Sequence, residues 1–243
     1  LCVNEQSESA AVTMRTPGHD LELAAGFLFA EGVIQNREDL LRLEKSQEEQ
    51  LSDEERSNRV DVEIGSNSEK ALEVLQRSFV ISSACGVCGK ASLDALELCT
   101  TGPLNAQWTV HADVISSLQT KLKLEQSLFQ QTGGLHAAGL FNREGELQLL
   151  REDIGRHNAV DKVIGNALLE QNLPLSEHIL MVSGRSSFEI LQKAYVAGIH
   201  VICSVSAPSS LAVDLAERFN ITLIGFLRDG RFNIYTAEDR IRI

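Results

Sequence analysis

From residue 135 onward the chain alternates short apolar runs with helical patterns, and this alternation limits its fold more than any other feature. Strand-like runs fall at about 135–141, 146–151, 178–183, 199–205, 221–227 and 232–236. Helical patterns fall at about 157–170, 187–197 and 209–218. Asn142-Arg143-Glu144-Gly145 reads as the hairpin turn joining the first two strands. Such an order predicts an α/β fold with several parallel strands. Val201-Ile202-Cys203-Ser204-Val205 is mostly apolar, as a strand covered on both faces should be.

The N-terminal half is less regular. Residues 10–15 read as a strand broken by Thr16-Pro17-Gly18, and a helix is expected from about Asp20 to Glu31 with Gly32 as its stop. Gln35 to Arg59 is polar, without aromatics, and reads as a solvated helix or flexible insertion. Val60, Val62 and Ile64 alternate with charged residues, as in a half-exposed strand. A second long helical pattern runs from about Ala112 to Gln131. The expected division is a smaller α+β portion over 1–80, carrying the polar insertion at 35–59, and an α/β core over 81–243.

With 243 residues, 43% of them apolar, the chain can bury a sizeable core. A net charge of −12 argues against a broad nucleic-acid or anionic-membrane surface. Five cysteines form no secreted disulfide framework and suit a reducing cytoplasm. No apolar run reaches the roughly 18 residues needed to cross a bilayer.

Two of those cysteines stand in Ser83-Ala84-Cys85-Gly86-Val87-Cys88-Gly89, ahead of a helical pattern from about Ala91 to Cys99. Backbone N–H groups and the macrodipole at a helix start favour the thiolate, which is both nucleophile and metal ligand. The flanking glycines leave room for a partner sulfur or a large electrophile. Metal binding, dithiol redox work and sulfur transfer all use such a pair. Structural zinc needs two further ligands, and Cys99 and His111 make no pair of their own. A zinc deaminase would carry Pro-Cys-x-x-Cys and His-x-Glu; Ala84 precedes Cys85, and no His-x-Glu occurs. Sulfur transfer needs only what is present. A thiolate takes a sulfane sulfur as a persulfide, then passes it on or loses it to the neighbouring thiol. No resident metal is expected.

The polar residues of the C-terminal half gather after the strands. They are Asp153-Ile154-Gly155-Arg156-His157-Asn158, Ser183-Gly184-Arg185-Ser186-Ser187, Ser206-Ala207-Pro208-Ser209-Ser210 and Arg228-Asp229-Gly230-Arg231. If the strands are parallel, these loops share the carboxyl edge of the sheet, where open α/β sheets place ligands. Glycine, serine and arginine at helix starts suit phosphate through N–H groups, hydroxyls and a bidentate cation. Ordinary capping would use some of the same residues. His136, in Gly-Gly-Leu-His-Ala-Ala, and His157, at a helix start, are either core and capping residues or ligand contacts. Cys203 reads as inert core.

These segments resemble the FdhD family of formate dehydrogenase accessory sulfurtransferases. The resemblance is carried by Thr16-Pro17 with Glu22-Leu23-Ala24-Ala25-Gly26-Phe27 and Glu31-Gly32, by Ser83 to Gly89, and by Thr132-Gly133-Gly134-Leu135-His136-Ala137-Ala138. It continues through Glu152-Asp153-Ile154-Gly155-Arg156-His157-Asn158-Ala159-Val160-Asp161-Lys162, Ser183-Gly184-Arg185, Ser206-Ala207-Pro208-Ser209, and Gly225-Phe226 with Arg228. It implies a three-layer, cytidine-deaminase-like core with a mixed sheet, usually dimeric. It implies that sulfur arrives from a cysteine desulfurase as a persulfide on Cys85, with Cys88 as second carrier or resolver. The acceptor so implied is the molybdenum or tungsten bis(molybdopterin guanine dinucleotide) cofactor, bound by Phe226, Leu227, Arg228, Asp229, Gly230 and Arg231 and destined for formate dehydrogenase. The loop residues Arg156, His157, Asn158, Ser183, Gly184, Arg185, Ser206 and Ser209, with His136, are expected to complete that pocket. The alternatives are a non-enzymatic cofactor chaperone and a zinc-stabilised interaction module.

Overall fold

A computed structural model describes residues 1–3, 11–65, 102–105 and 108–243. The CxxC segment with Cys85 and Cys88, the helix expected after it and the boundary expected near residue 80 lie outside the described residues.

In chain order the strands are β1 Cys2–Val3, β2 Leu40–Lys45, β3 Val60–Ile64, β4 Val110–His111, β5 His136–Phe141, β6 Leu147–Asp153, β7 Ile179–Val182, β8 Val201–Ser204, β9 Thr222–Arg228, β10 Arg231–Thr236 and β11 Ile241–Arg242. The helices are α1 Asp20–Ala30, α2 Asp53–Asn58, α3 Ala112–Glu125, α4 Ser127–Thr132, α5 Arg156–Leu169, α6 Phe188–Val196 and α7 Ser210–Arg218. Six strands form one mixed sheet in the order β10-β9-β8-β7-β5-β6. β7, β8 and β9 are mutually parallel, while β5 is antiparallel to both β6 and β7. β6 therefore runs with β7, and β10 runs against β9. The carboxyl ends of β6, β7, β8 and β9 thus meet the amino ends of β5 and β10 along one edge.

Side chains alternate between the two faces of this sheet, as period-2 geometry requires. Ala138, Leu140, Leu180, Val182, Ile202 and Leu223 pack beneath α1, α5, α6 and α7. Ala137, Phe141, Ile179, Met181, Val201, Cys203 and Ile224 pack beneath α3, through Ile115, Leu118 and Leu122. The result is the three-layer α/β arrangement expected. Cys203 is fully buried, and desolvation pushes its thiol pKa up, so it is the inert core residue predicted.

α1 and α5 cross with almost no side-chain layer between them. A Cβ on Gly26 would sit 1.9 Å from the Asp161 carbonyl oxygen, and one on Gly165 would sit 1.8 Å from that of Glu22. Two glycines facing each other let the backbones touch. Beside the crossing, Arg151 makes a paired contact with Glu22 at 2.6 and 2.7 Å.

Three expectations are corrected here. The polar stretch 35–59 is neither one helix nor loose chain: it forms β2, which pairs with β3, and the short helix α2, opened by a Ser52–Glu55 capping box. Of the strand expected over 10–15, residues 11–15 are described and form none; side chains of the β6–α5 turn and of α5 bond the backbone at Met14 and Thr16 instead. The Thr16 N–H donates to Asp153 Oδ2 (3.1 Å), the Thr16 carbonyl accepts from Lys162 Nζ (2.9 Å), and the Met14 carbonyl accepts from Asn158 Nδ2 (2.8 Å). The long helix expected over 112–131 is two helices, α3 and α4, parted at Gln126. Among the described residues no helix is long and apolar enough to cross a membrane.

Candidate functional site

The four polar loops lie on one edge of the sheet, and hydrogen bonds lace them together. At the end of β6, Asp153 Oδ1 accepts from the Gly155 N–H (2.9 Å) and from Asn158 Nδ2 (3.0 Å), which fixes the start of α5. Arg156 and His157 therefore project from its first turn. After β7, the Ser183 N–H donates to the Ala137 carbonyl (2.9 Å) and Ser183 Oγ accepts from the Ala137 N–H (2.8 Å). The next residue, Gly184, leaves a gap that a side chain would fill. Its Cβ would lie 3.3 Å from Arg156 Cδ and 3.4 Å from His136 Nδ1. Residues from three separate elements thus converge on one point.

The loops after β7 and β8 pair as a parallel bridge at Ser186 and Pro208, and the Ser209 N–H donates to the Ser186 carbonyl at 3.0 Å. The Ser206 carbonyl accepts from the Phe226 N–H at 3.2 Å. β9 is bulged at this point. Gly225 pairs with Asn233 and Arg228 with Arg231, so Phe226 and Leu227 together oppose Phe232. Phe226 takes the extra residue's left-handed conformation (φ 54°), an uncommon one for an aromatic residue. Ile224 and Leu227 then both enter the α3-side core although they are three apart. Asp229 and Gly230 (φ 53° and 72°) close the β9–β10 turn between Arg228 and Arg231.

Not all the candidate residues are free to meet a ligand. Asn158 and Ser183 spend side-chain atoms on the protein, and Ser209 Oγ caps α7 by accepting from the Ala212 N–H at 3.2 Å. Leu227 is fully buried in the core. Arg185, Phe226, Arg228, Asp229, Gly230 and Arg231 are exposed, while His136, Arg156, His157 and Ser206 are half-buried. Among the described residues no carboxylate forms an ion pair with Arg156, Arg185, Arg228 or Arg231. Arg156 Nε is buried without a hydrogen-bond partner among them. In a chain of net charge −12, this edge carries concentrated, uncompensated positive charge.

Both histidines are held neutral near pH 7. Burial, reinforced by Arg156, Lys193 and His136, brings His157 down to about 4 against the opposing pull of Glu189. Burial and Arg156 also lower His136. The edge can therefore bind an anion through guanidinium groups and offer uncharged imidazoles beside it.

The chain matches the FdhD/NarQ family over residues 1–242. It belongs to that family. The sulfur carrier protein FdhD of Streptomyces coelicolor is 46% identical to it, over 96% of this chain and 83% of that protein. The sulfur carrier protein FdhD of Sulfurisphaera tokodaii is 46% identical, over 98% of this chain and 86% of that protein. The crystal structure of a Desulfotalea psychrophila protein assigned as a formate dehydrogenase accessory protein superposes with a TM-score of 0.74 at 28% identity, covering 99% of this chain and 86% of that one.

Within this FdhD/NarQ fold, sequence reasoning missed residues that build the edge without belonging to its loops. Thr16 hydrogen-bonds the β6–α5 turn through its N–H, its carbonyl and its hydroxyl, the last accepting from the Ile154 N–H at 2.9 Å. Lys162, almost fully buried, pairs with buried Asp153 at 2.7 Å. Glu189 approaches His157 Nε2 at 3.8 Å. Thr16 and Lys162 stand in segments that carry the family resemblance, but no local pattern gave them or Glu189 a role.

Proposed function

We propose that this protein carries sulfur as a persulfide on Cys85 and delivers it to a guanine-dinucleotide molybdenum or tungsten cofactor bound at the carboxyl edge, for use by formate dehydrogenase. The observation that carries this reading is the set of arginines without ion-pair partners among the described residues, supplied by three loops to one edge. Phosphate groups of a dinucleotide suit Arg156, Arg185, Arg228 and Arg231, with backbone N–H groups around Gly184 and Gly230. His136, Ser206 and Phe226 border the same space. Leu227, Asn158, Ser183 and Ser209 serve as scaffold. The sulfur half of the reading is supported by relatives named sulfur carriers and by the Cys85-Gly86-Val87-Cys88 spacing.

In this mechanism the Cys85 thiolate attacks the outer sulfur of a persulfide on a cysteine desulfurase, whose own thiolate leaves. The outer sulfur then passes to the reduced cofactor, the acceptor, which gives up the two electrons that bring that sulfur to the sulfide level, and the Cys85 thiolate is freed. Where Cys88 instead attacks Cys85, hydrosulfide leaves and a disulfide remains, to be reduced by a cellular dithiol. The acceptor is substrate, not a resident group. We assign the protein to the cytoplasm, as a homodimer.

Incubation with a cysteine desulfurase and cysteine, followed by intact mass measurement, is expected to show a one-sulfur adduct that Cys85→Ala abolishes. An adduct that survives this substitution would sink the assignment of Cys85. GDP is expected to bind the untreated protein, and Arg228→Ala to weaken it about tenfold to a hundredfold, as loss of a charged contact does. Unchanged affinity would put the phosphates elsewhere.

A further inference from the structure

Ser187 stands at the N-cap of α6, where a serine ordinarily accepts a backbone N–H from the first turn. Its side chain makes no such bond. Ser209, in the same position at α7, does. The Ser187 hydroxyl is engaged elsewhere: its Oγ lies 3.0 Å from His157 Nε2, which the Glu189 carboxylate approaches at 3.8 Å. Burial acts to raise the pKa of Glu189, but Ser187, its own backbone N–H, His157 and Arg156 outweigh this, so it is ionised near neutral pH.

The carboxylate then fixes the direction of the bond between serine and imidazole. A carboxylate only accepts. A lone pair on Nε2 would face the Glu189 oxygen 3.8 Å away, whereas an Nε2–H is attracted to it, so Ser187 Oγ meets His157 with a lone pair. The bond at 3.0 Å forms only if Nε2 carries the hydrogen, and a neutral imidazole has one N–H, which leaves Nδ1 as an acceptor. The charged and titratable groups around this imidazole are Arg156, Lys193, His136 and Glu189, and three of the four disfavour its protonation.

We infer that Glu189 is a positioning residue: together with Ser187 it locks His157 as the Nε2–H tautomer, so that Nδ1 accepts a hydrogen bond from a ligand N–H beside the phosphate-binding arginines. Guanidinium groups supply only donors. A ligand that pairs phosphates with a ring N–H, as guanine nucleotides do, meets both kinds of partner here. The ligand half of this inference rests on the function proposed above; the tautomer lock does not.

The test is nitrogen-15 NMR of the histidines in the full chain, near neutral pH and without ligand. Wild type is expected to show His157 with hydrogen on Nε2. In Glu189→Gln the carboxylate charge that favours the hydrogen on Nε2 is gone and the serine proton can turn toward His157, so the Nδ1–H form should appear. Ser187→Ala should also lose the preference, and Ser187→Thr should keep it. GDP affinity is expected to fall about fivefold in Glu189→Gln, the value of one ordinary hydrogen bond, and to be restored in Ser187→Thr relative to Ser187→Ala. An Nδ1–H tautomer in wild type, or an unchanged tautomer in both Glu189→Gln and Ser187→Ala, overturns the lock. Equal GDP affinity in wild type and Glu189→Gln overturns its link to the ligand. If wild type binds no GDP at all while the tautomers behave as expected, the nucleotide reading of the edge fails and the lock stands.

Discussion

Gly165→Ala is expected to destabilise the protein by about 3 kcal/mol or more, the upper part of the range for overpacking. The added methyl would sit 1.8 Å from the Glu22 carbonyl oxygen and 2.8 Å from the Gly26 nitrogen. Overpacking is usually relieved by rotating a neighbouring side chain, but here the opposing atoms are backbone. Relief requires moving α1 away from α5, which breaks the paired Arg151–Glu22 contact and uncovers the buried face of α1, including Ala25 and Leu28. In a chain of this size a loss of about 3 kcal/mol lowers Tm by roughly 6–12 °C. Gly26→Ala should behave alike, since its Cβ meets the Asp161 carbonyl oxygen at 1.9 Å. Thermal denaturation of both variants checks this. A Tm within about 2 °C of wild type would mean that the crossing opens without cost.

That crossing marks the limit of what the sequence discloses. Within α1, Ala24-Ala25-Gly26 reads as small residues on a helix, and nothing local says that Gly26 meets Gly165, far along the chain. The sheet was legible because its strands are apolar runs bounded by polar loops, and each loop falls where the strand direction predicts. β2 was not legible: its Leu-Leu-Arg-Leu-Glu-Lys sequence lies at the edge of a three-stranded sheet, where half-exposed charge imitates a solvated helix. Residues 10–15 have the composition of a strand, but the Met14 carbonyl bonds the Asn158 side chain, and Thr16 just beyond bonds those of Asp153 and Lys162. The same competition explains the edge. Sequence picks out polar residues near a ligand-binding position, but Asn158, Ser183 and Ser209 are polar in order to hold the loops, while Arg156, Arg185, Arg228 and Arg231 have no such employment among the described residues. Leu227 joins Ile224 in the α3-side core and leaves Phe226 at the surface, because the bulge in β9 shifts the alternation from which facing is read.

Asp153→Ala is expected to cost about 3–5 kcal/mol, the range for removing one partner of a buried ion pair. Asp153 is fully buried, and Lys162, 1% exposed, pairs with it at 2.7 Å. The substitution strands the Lys162 ammonium with only the Thr16 and Glu152 carbonyls near it, at 2.9 and 3.4 Å. It also removes the acceptor for the Thr16 N–H, the Gly155 N–H and Asn158 Nδ2. The pair and the three bonds are separable. Replacing both residues, as Asp153→Leu with Lys162→Met, removes the stranded charge and should recover most of the ion-pair loss, since apolar replacements of buried pairs are often neutral or better. It cannot restore the three hydrogen bonds, so the double variant should remain below wild type by about 1–3 kcal/mol. Arg156 and His157 hang from this turn, so GDP affinity is expected to fall in the double variant even where it is fully folded. Urea denaturation of the single and double variants, with GDP titration of the folded double variant, checks both parts. A double variant no more stable than Asp153→Ala would mean that the lost hydrogen bonds, not the stranded lysine, dominate. Wild-type GDP affinity in the double variant would mean that the turn keeps Arg156 and His157 in place without Asp153.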